Sequence, residues 1–252
     1  EDETTSFDAL YKDGEFFDDV SGAKLDKKMA TTARRTEIDF FKARGVYFKR
    51  RREKWMKVIS IKWLDVNKGD AKNPNYRARL VGREMAWDRR DDLFAATPPL
   101  ESLKAVLSLC ASRQNRRHPH RIMKIDVKRA YFYAKATRPI FISIPKEDFE
   151  TGDEQNVAQL NLSLYGTRDA AKNWTATFTE FLVNSSFTAG LCSPCNFHNA
   201  AKDMAVTVHG DDFTCTGSRS SLAWFKGRME EKFEISCEVL GPDADQQREI
   251  SI

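Results

Sequence analysis

Nowhere does this sequence reach the run of about eighteen apolar residues that a membrane-spanning helix needs. Its first residues, Glu1, Asp2 and Glu3, are acidic where a secretory signal would be basic and then apolar. Neither a membrane protein nor a secreted precursor is expected. Cysteine is sparse: five in 252 residues, an odd number without framework spacing. That usage points to reduced thiols inside a cell and to no structural disulfides. With 12 glycines and 8 prolines, and with neither an internal repeat nor a low-complexity tract, the chain cannot be collagen-like, and a coiled coil or wholly disordered chain is excluded by the same composition. What remains, 41% hydrophobic and 31% charged, is the makeup of a globular protein of one large or two small domains.

The net charge of +4 conceals a segregation. Residues 1–26 hold nine acids against two lysines, a balance of −7, whereas residues 27–57 hold twelve Lys/Arg against three acids, a balance of +9. Lys49-Arg50-Arg51-Arg52 is the densest basic run, and a second basic stretch covers 113–129. Like charges gathered in one segment project a field that a mixed surface cancels, so a polyanionic partner is plausible beside the plainer reading of a solvated helix face next to an acidic tail.

Residues 1–57 read as an acidic, loosely held leader followed by a basic, partly helical linker, with Ile38, Phe41, Val46 and Phe48 at helical spacing and a break at Gly45. Residues 58–252 read as the folded region. Alternating segments at 58–66 and 76–81, joined by turn residues, predict a β-hairpin. Thr97-Pro98-Pro99 predicts the start of a helix over 98–114, with Thr97 as cap. Strands are expected around 122–127, 140–144, 204–208, 212–216 and 233–239, and helices over 169–186 and behind 218–221. Strands and helices mix without regular βα alternation, which favours α+β.

Two features carry chemistry. Asp126 ends an apolar strand, and Asp211-Asp212 follow Gly210 in a predicted hairpin. Acids at the ends of apolar strands are costly to desolvate unless a cation compensates, so the three suggest a shared divalent metal site, with ordinary turn aspartates as the alternative. Hard oxygen ligands suit magnesium, and a pair of ions about 3.5–4 Å apart serves phosphoryl transfer.

Several longer blocks then bear on these acids. Arg77-Ala78-Arg79-Leu80-Val81-Gly82-Arg83, Thr97-Pro98-Pro99-Leu100-Glu101-Ser102, Met123 to Phe132, Leu162 to Trp174 and Val208-His209-Gly210-Asp211-Asp212-Phe213 follow one another in the order found in copia-type retrotransposon reverse transcriptases. The chain resembles that family from about Gly45 to its end, and Ser163-Leu164-Tyr165-Gly166 with Trp174 is the most specific block.

The resemblance implies a right-hand polymerase of fingers and palm, an antiparallel palm sheet backed by helices, with no residues left for a thumb or a ribonuclease H domain. It implies an RNA-directed DNA polymerase, a nucleotidyltransferase, with Asp126 and Asp211 holding two magnesium ions, or manganese in their stead, and Asp212 in support. Arg77 and Arg79, with Arg83 as a further candidate, would contact the phosphates of deoxynucleoside triphosphates. Tyr165 and Gly166 would line the nucleotide pocket, and Tyr131 would pack under the sugar and reject a 2′-hydroxyl. RNA template and DNA primer are the implied partners, within a Pol polyprotein that supplies integrase and ribonuclease H. A cytoplasmic particle or the nucleus is the implied place.

Two departures from the family pattern stand out: His209-Gly210 where an aromatic and another residue usually precede the acid pair, and Ala171 in place of a proline. Two rival functions remain, a decayed fragment that binds nucleic acid without turnover and a two-metal nuclease using the same acids. Other residues have blander readings. Cys192 and Cys195 with His198 are an incomplete zinc set. His118 and His120 belong to a basic connector, Cys215 is a small buried residue, and Trp174, Phe178, Phe181, Trp224 and Phe225 are core.

Overall fold

The structure, a computed structural model, describes residues 15–70, 72–85, 93, 95–115, 117–243 and 245–249. The acidic stretch expected at 1–14 lies outside the described residues. Two compact units divide the chain: Glu1–Arg89 with Lys135–Ala170, and Arg90–Ala134 with Ala171–Ile252.

The chain opens on a small hairpin of β1 (Phe16–Phe17) and β2 (Lys24–Leu25). Helix α1 (Lys27–Arg44) follows, because the Asp26 carboxylate accepts the Met29 N–H at 2.8 Å and Ala30, Ile38 and Phe41 recur on one buried face. It ends at Gly45, whose φ of 65° is the left-handed turn that closes many helices. Next come β3 (Tyr47–Arg51), β4 (Val58–Ile59), β5 (Ile61–Asn67) and β6 (Tyr76–Gly82). The chain continues through α2 (Leu100–Ser112), β7 (His120–Val127), β8 (Phe141–Ile142), β9 (Asn156–Leu160), α3 (Ala170–Asn184), β10 (Thr188–Ala189) and β11 (Asn196–Asn199). It finishes with β12 (Met204–His209), β13 (Asp212–Ser218), α4 (Arg219–Glu230) and β14 (Ile235–Leu240). Among the described residues no helix is long and apolar enough to cross a membrane.

In the first unit β5 and β6 form the expected hairpin, with Trp63 registered opposite Leu80. A separate four-stranded sheet runs β3-β9-β8-β4, antiparallel except where β4 meets β8. The expected division at residue 57 is corrected here. Described residues 15–57 are built into this unit rather than forming a loose leader and a linker. Asp18 accepts the Asn67 N–H at 2.7 Å, Asp19 exchanges hydrogen bonds with Asp65, and Lys62 pairs with Asp19. Arg34 of α1 lies buried against Asp65, its Nη2 2.5 Å from Oδ2. The helix and the break expected at Gly45 are both present, and Val46 and Phe48, counted in the helical spacing, lie beyond the break in loop and strand, where β3 finds its partner, β9, far along the chain.

The second unit is one antiparallel six-stranded sheet, β10-β11-β12-β13-β7-β14. Its apolar face, including Met123, Ile125, Val208, Phe213 and Cys215, packs against Trp174, Phe178 and Leu182 of α3 and Phe225 and Met229 of α4. Alternation along β7 and β13 therefore sends Lys124, Asp126, Asp212 and Thr214 to the other face. Helix α2 starts at Leu100, not at Pro98, and Thr97 is not its cap. Thr97 and Pro98 each precede a proline and are thereby driven out of the helical region, and Pro99 stands extended at the cap position.

Candidate active site

Two hairpin strands and a third bring the acids together. Asp212, first residue of β13, is registered opposite Asp126 near the end of β7, and the Val127 N–H donates to Asp211 O at 3.0 Å. On its other side Asp126 faces Ser236 of β14, whose Oγ donates to Asp126 Oδ2 at 3.3 Å. The β12–β13 turn holds only Gly210 and Asp211 between the registered pair His209 and Asp212. Gly210 takes φ of 64°, the demand of a tight hairpin turn, and its carbonyl accepts the Trp174 indole N–H at 2.8 Å. The buried Trp174 thereby anchors the turn that carries Asp211.

Burial and neighbouring charge both bear on the Asp212 carboxyl group. Burial holds Asp212 above the ordinary aspartate range; Asp211 and Asp126 push in the same direction, while Lys124 and His209 oppose them. Lys124 Nζ lies 3.8 Å from Asp212 Oδ1. The Tyr131 phenol is raised by burial and then by the Asp211 charge. A cleft of about 320 Å³ flanks Asp212, lined also by Lys124, His209, Thr214, the Pro98-Pro99 pair ahead of α2, and Leu100 and Leu103 of α2 itself.

Three carboxylates are oxygen donors of the kind that a hard divalent cation takes, while the Lys124 ammonium beside Asp212 competes with such a cation for it. Among the described residues no group of three or more His, Cys, Asp or Glu is arranged to hold a metal ion.

Tyr165, Gly166, Arg77 and Arg79 belong to the first unit. Arg77 and Arg79 alternate with the buried Ala78 and Leu80 on β6, and the Arg79 guanidinium sits 5.2 Å from the centre of the Tyr165 ring. Gly166 has a structural demand of its own. At φ of 79° a Cβ there would lie 2.0 Å from Gly82 O, and Gly82 N–H donates to Tyr165 O at 2.7 Å. Arg138 and Glu84 brace the same loop: Arg138 Nη2 reaches Glu84 at 2.6 Å and Asp169 at 3.1 Å, and Glu84 accepts the Arg168 N–H.

Some partners escaped sequence reasoning. Lys124 was legible, two residues before Asp126 on an alternating strand. Ser236 and Trp174 were not, since only strand pairing and helix packing bring them to the acids. His120 is corrected from connector to core: it is buried, with Nε2 3.2 Å from Asp203 Oδ2 and Nδ1 3.4 Å from Thr216 Oγ1. Cys195 is buried with its thiol donating to Ala96 O, whereas Cys192 is exposed. Cys215 is wholly buried, and burial raises its thiol pKa.

An antiparallel sheet backed by two helices thus ends in opposed carboxylates, and comparison with known proteins names the family. The chain belongs to the reverse transcriptase (RNA-dependent DNA polymerase) family, whose profile matches residues 46–242. It is 26% identical, over 86% of its length, to the Retrovirus-related Pol polyprotein from transposon TNT 1-94 of Nicotiana tabacum. It is 22% identical, over 66% of its length, to that from transposon RE1 of Arabidopsis thaliana. The chain spans only 16% and 11% of those two relatives. A foamy viral protease-reverse transcriptase solved in complex with double-stranded DNA is similar over 82% of this chain and 30% of that one, at 16% identity and a TM-score of 0.45.

Proposed function

We propose that this chain is the fingers and palm of an RNA-directed DNA polymerase, adding deoxynucleotides to a primer 3′-hydroxyl on an RNA template. The observation that carries the reading is the direct opposition of Asp126 and Asp212 with Asp211 in the adjoining turn, in a chain of the reverse transcriptase family. Asp126 and Asp211 would hold the cations and Asp212 would support them. Magnesium or manganese bound there would ease deprotonation of the primer hydroxyl and offset charge on the triphosphate. Trp174 fixes the turn of Asp211, and Ser236 orients Asp126. Arg77 and Arg79 supply fixed positive charge for phosphates, Tyr165 and Gly166 shape the nucleotide pocket, and Tyr131 bars a 2′-hydroxyl. The rest of a Pol polyprotein, with integrase and ribonuclease H, would accompany it in a cytoplasmic particle or the nucleus.

Primer extension on an RNA template with magnesium and deoxynucleotides tests the reading. Extension that is lost in Asp126→Asn and Asp211→Asn supports it. A folded chain that never extends a primer, even with a thumb domain supplied, overturns it. Absence of a three-ligand group among the described residues favours a second reading, nucleic-acid binding without turnover. Under that reading, salt-sensitive binding survives Asp211→Ala and no synthesis is seen.

A further inference from the structure

We propose that the first unit carries its own single-strand nucleic-acid platform, made from the rings of Phe48 and Trp55 and the cations Arg50, Arg52 and Lys54. The proposal deepens the polymerase reading only in naming a further surface for its polymer; binding at this surface needs neither the acids nor a metal.

Phe48 is registered opposite Gln159, and Gln159 opposite Phe141, so the three share one row across β3, β9 and β8. Phe141 is buried, and the Trp55 indole meets it edge-on at 5.4 Å between centroids. The row therefore ends in two large rings open to solvent, Phe48 at 43% and Trp55 at 63% exposure. Neighbouring strands lie about 4.8 Å apart, which separates Phe48 from the Phe141–Trp55 pair by roughly 10 Å, room for a short run of unstacked bases.

The arrangement is fixed before anything binds. Glu53 accepts from Trp55 Nε1 at 2.9 Å and from Arg50 Nη2 at 2.6 Å, while Arg50 Nη1 donates to Gln159 at 3.0 Å. Around it, residues 49–57 hold six Lys/Arg against Glu53 alone. Lys49 is engaged by Asp153, and Arg51 donates to Gln155. Strand β3 is an edge of its sheet, and cations on an edge discourage further strand pairing. That role accounts for the arginines but not for an exposed phenylalanine among them or a pinned, exposed tryptophan beside them. Flat rings interleaved with cations match the two faces of a single strand, bases that stack and phosphates that repel one another. A duplex hides its bases, and an acidic polypeptide has none to stack.

The test is fluorescence anisotropy of labelled oligothymidylate with the whole chain, carrying Asp126→Asn, in chelator and without nucleotides. Phe48→Ala with Trp55→Ala is expected to weaken binding at least about tenfold, and Phe48→Tyr with Trp55→Phe to keep it within about twofold. Arg52→Gln should lower the logarithmic salt slope by about 0.7, and Arg51→Gln, on the opposite face of β3, should leave it unchanged. Unchanged binding by the double alanine variant overturns the proposal, provided its thermal melt matches the parent. So does displacement of the oligonucleotide by duplex or polyglutamate as readily as by unlabelled single strand. Oligothymidylate binding of this pattern in a chain that never extends primers sinks the polymerase reading alone; extension with ring-independent binding sinks the platform alone.

Discussion

Asp126 and Asp212 stand directly opposite each other across the β7–β13 ladder, two carboxylates where an antiparallel pair usually avoids like charge. Strand pairing thus holds together a repulsion that the fold has no reason of its own to keep, and Lys124 offsets it only in part.

Asp212→Asn should therefore stabilise the protein at neutral pH. An acid whose folded pKa is raised holds its proton more tightly when folded, so it favours the fold at low pH and loses that advantage as pH rises through the folded value. The gain from the asparagine is expected at pH 7 and should vanish as pH falls to the ordinary aspartate range. Thermal melts of both proteins from pH 3 to pH 8 check it; a gain that persists at pH 3 contradicts the account.

Two glycines with positive φ should respond differently to alanine. Gly210 has open space where a Cβ would go, so Gly210→Ala should cost only the left-handed strain, about 1 kcal/mol. Gly166→Ala must push against Gly82 O as well and should cost about 3 kcal/mol or more. Urea denaturation of the pair measures the difference, and equal costs would show that the Gly82 contact yields freely.

Trp174→Phe removes the hydrogen bond to Gly210 O while keeping an aromatic ring among Phe178, Phe213 and Phe233. Stability should fall by about 1–2 kcal/mol. Primer extension should fall further than in Phe225→Leu, a core change remote from the turn, once both are compared at equal destabilisation. Parallel losses in the two variants would deny Trp174 a role in fixing Asp211.

Acid should weaken the first unit through Asp18 and Asp153. Asp18 is lowered to about 2, mainly by the Asn67 N–H, and Asp153 to about 2, mainly by Lys49. An acid lowered on folding stabilises above its unfolded pKa and stops doing so as pH drops to the folded one. Asp18→Ala and Asp153→Ala should accordingly be less stable than the parent at pH 7, with both differences closing between 3.8 and about 2. Denaturation followed across that window gives the answer; differences independent of pH would assign the loss to packing.

Tyr131→Val should admit ribonucleotides. A smaller side chain there removes the bulk that would meet a 2′-hydroxyl. Incorporation of a ribonucleoside triphosphate relative to its deoxy counterpart is the measurement, and an unchanged ratio withdraws the sugar-gate role.

Much of the second unit was legible in the chain. Apolar alternation marked β7, β12 and β13, helical spacing marked α3 and α4, and the acids sat at strand ends that the same alternation sent to one face. Residues 15–57 were not legible, because acidic and basic composition describes solvated charge, whereas Asp18, Asp19 and Arg34 spend theirs on partners in β5. Of that stretch, only the helix and its break at Gly45 were legible, from apolar spacing and the glycine, whereas the pairing of Val46 and Phe48 beyond the break was not, since β3 meets β9 far along the chain.

By itself the sequence determined which segments alternate, where helices stop, and that three acids and an ordered set of motifs belong to the reverse transcriptase family, because those properties are local or are carried by residue identity. Only the tertiary structure decided that Asp126 lies between Asp212 and Ser236, that Trp174 ties down the turn of Asp211, that Gly166 answers to Gly82, and that β3 pairs with β9. These are contacts between residues distant in the chain, and long-range register is fixed by the packing of whole faces rather than by any short stretch of sequence.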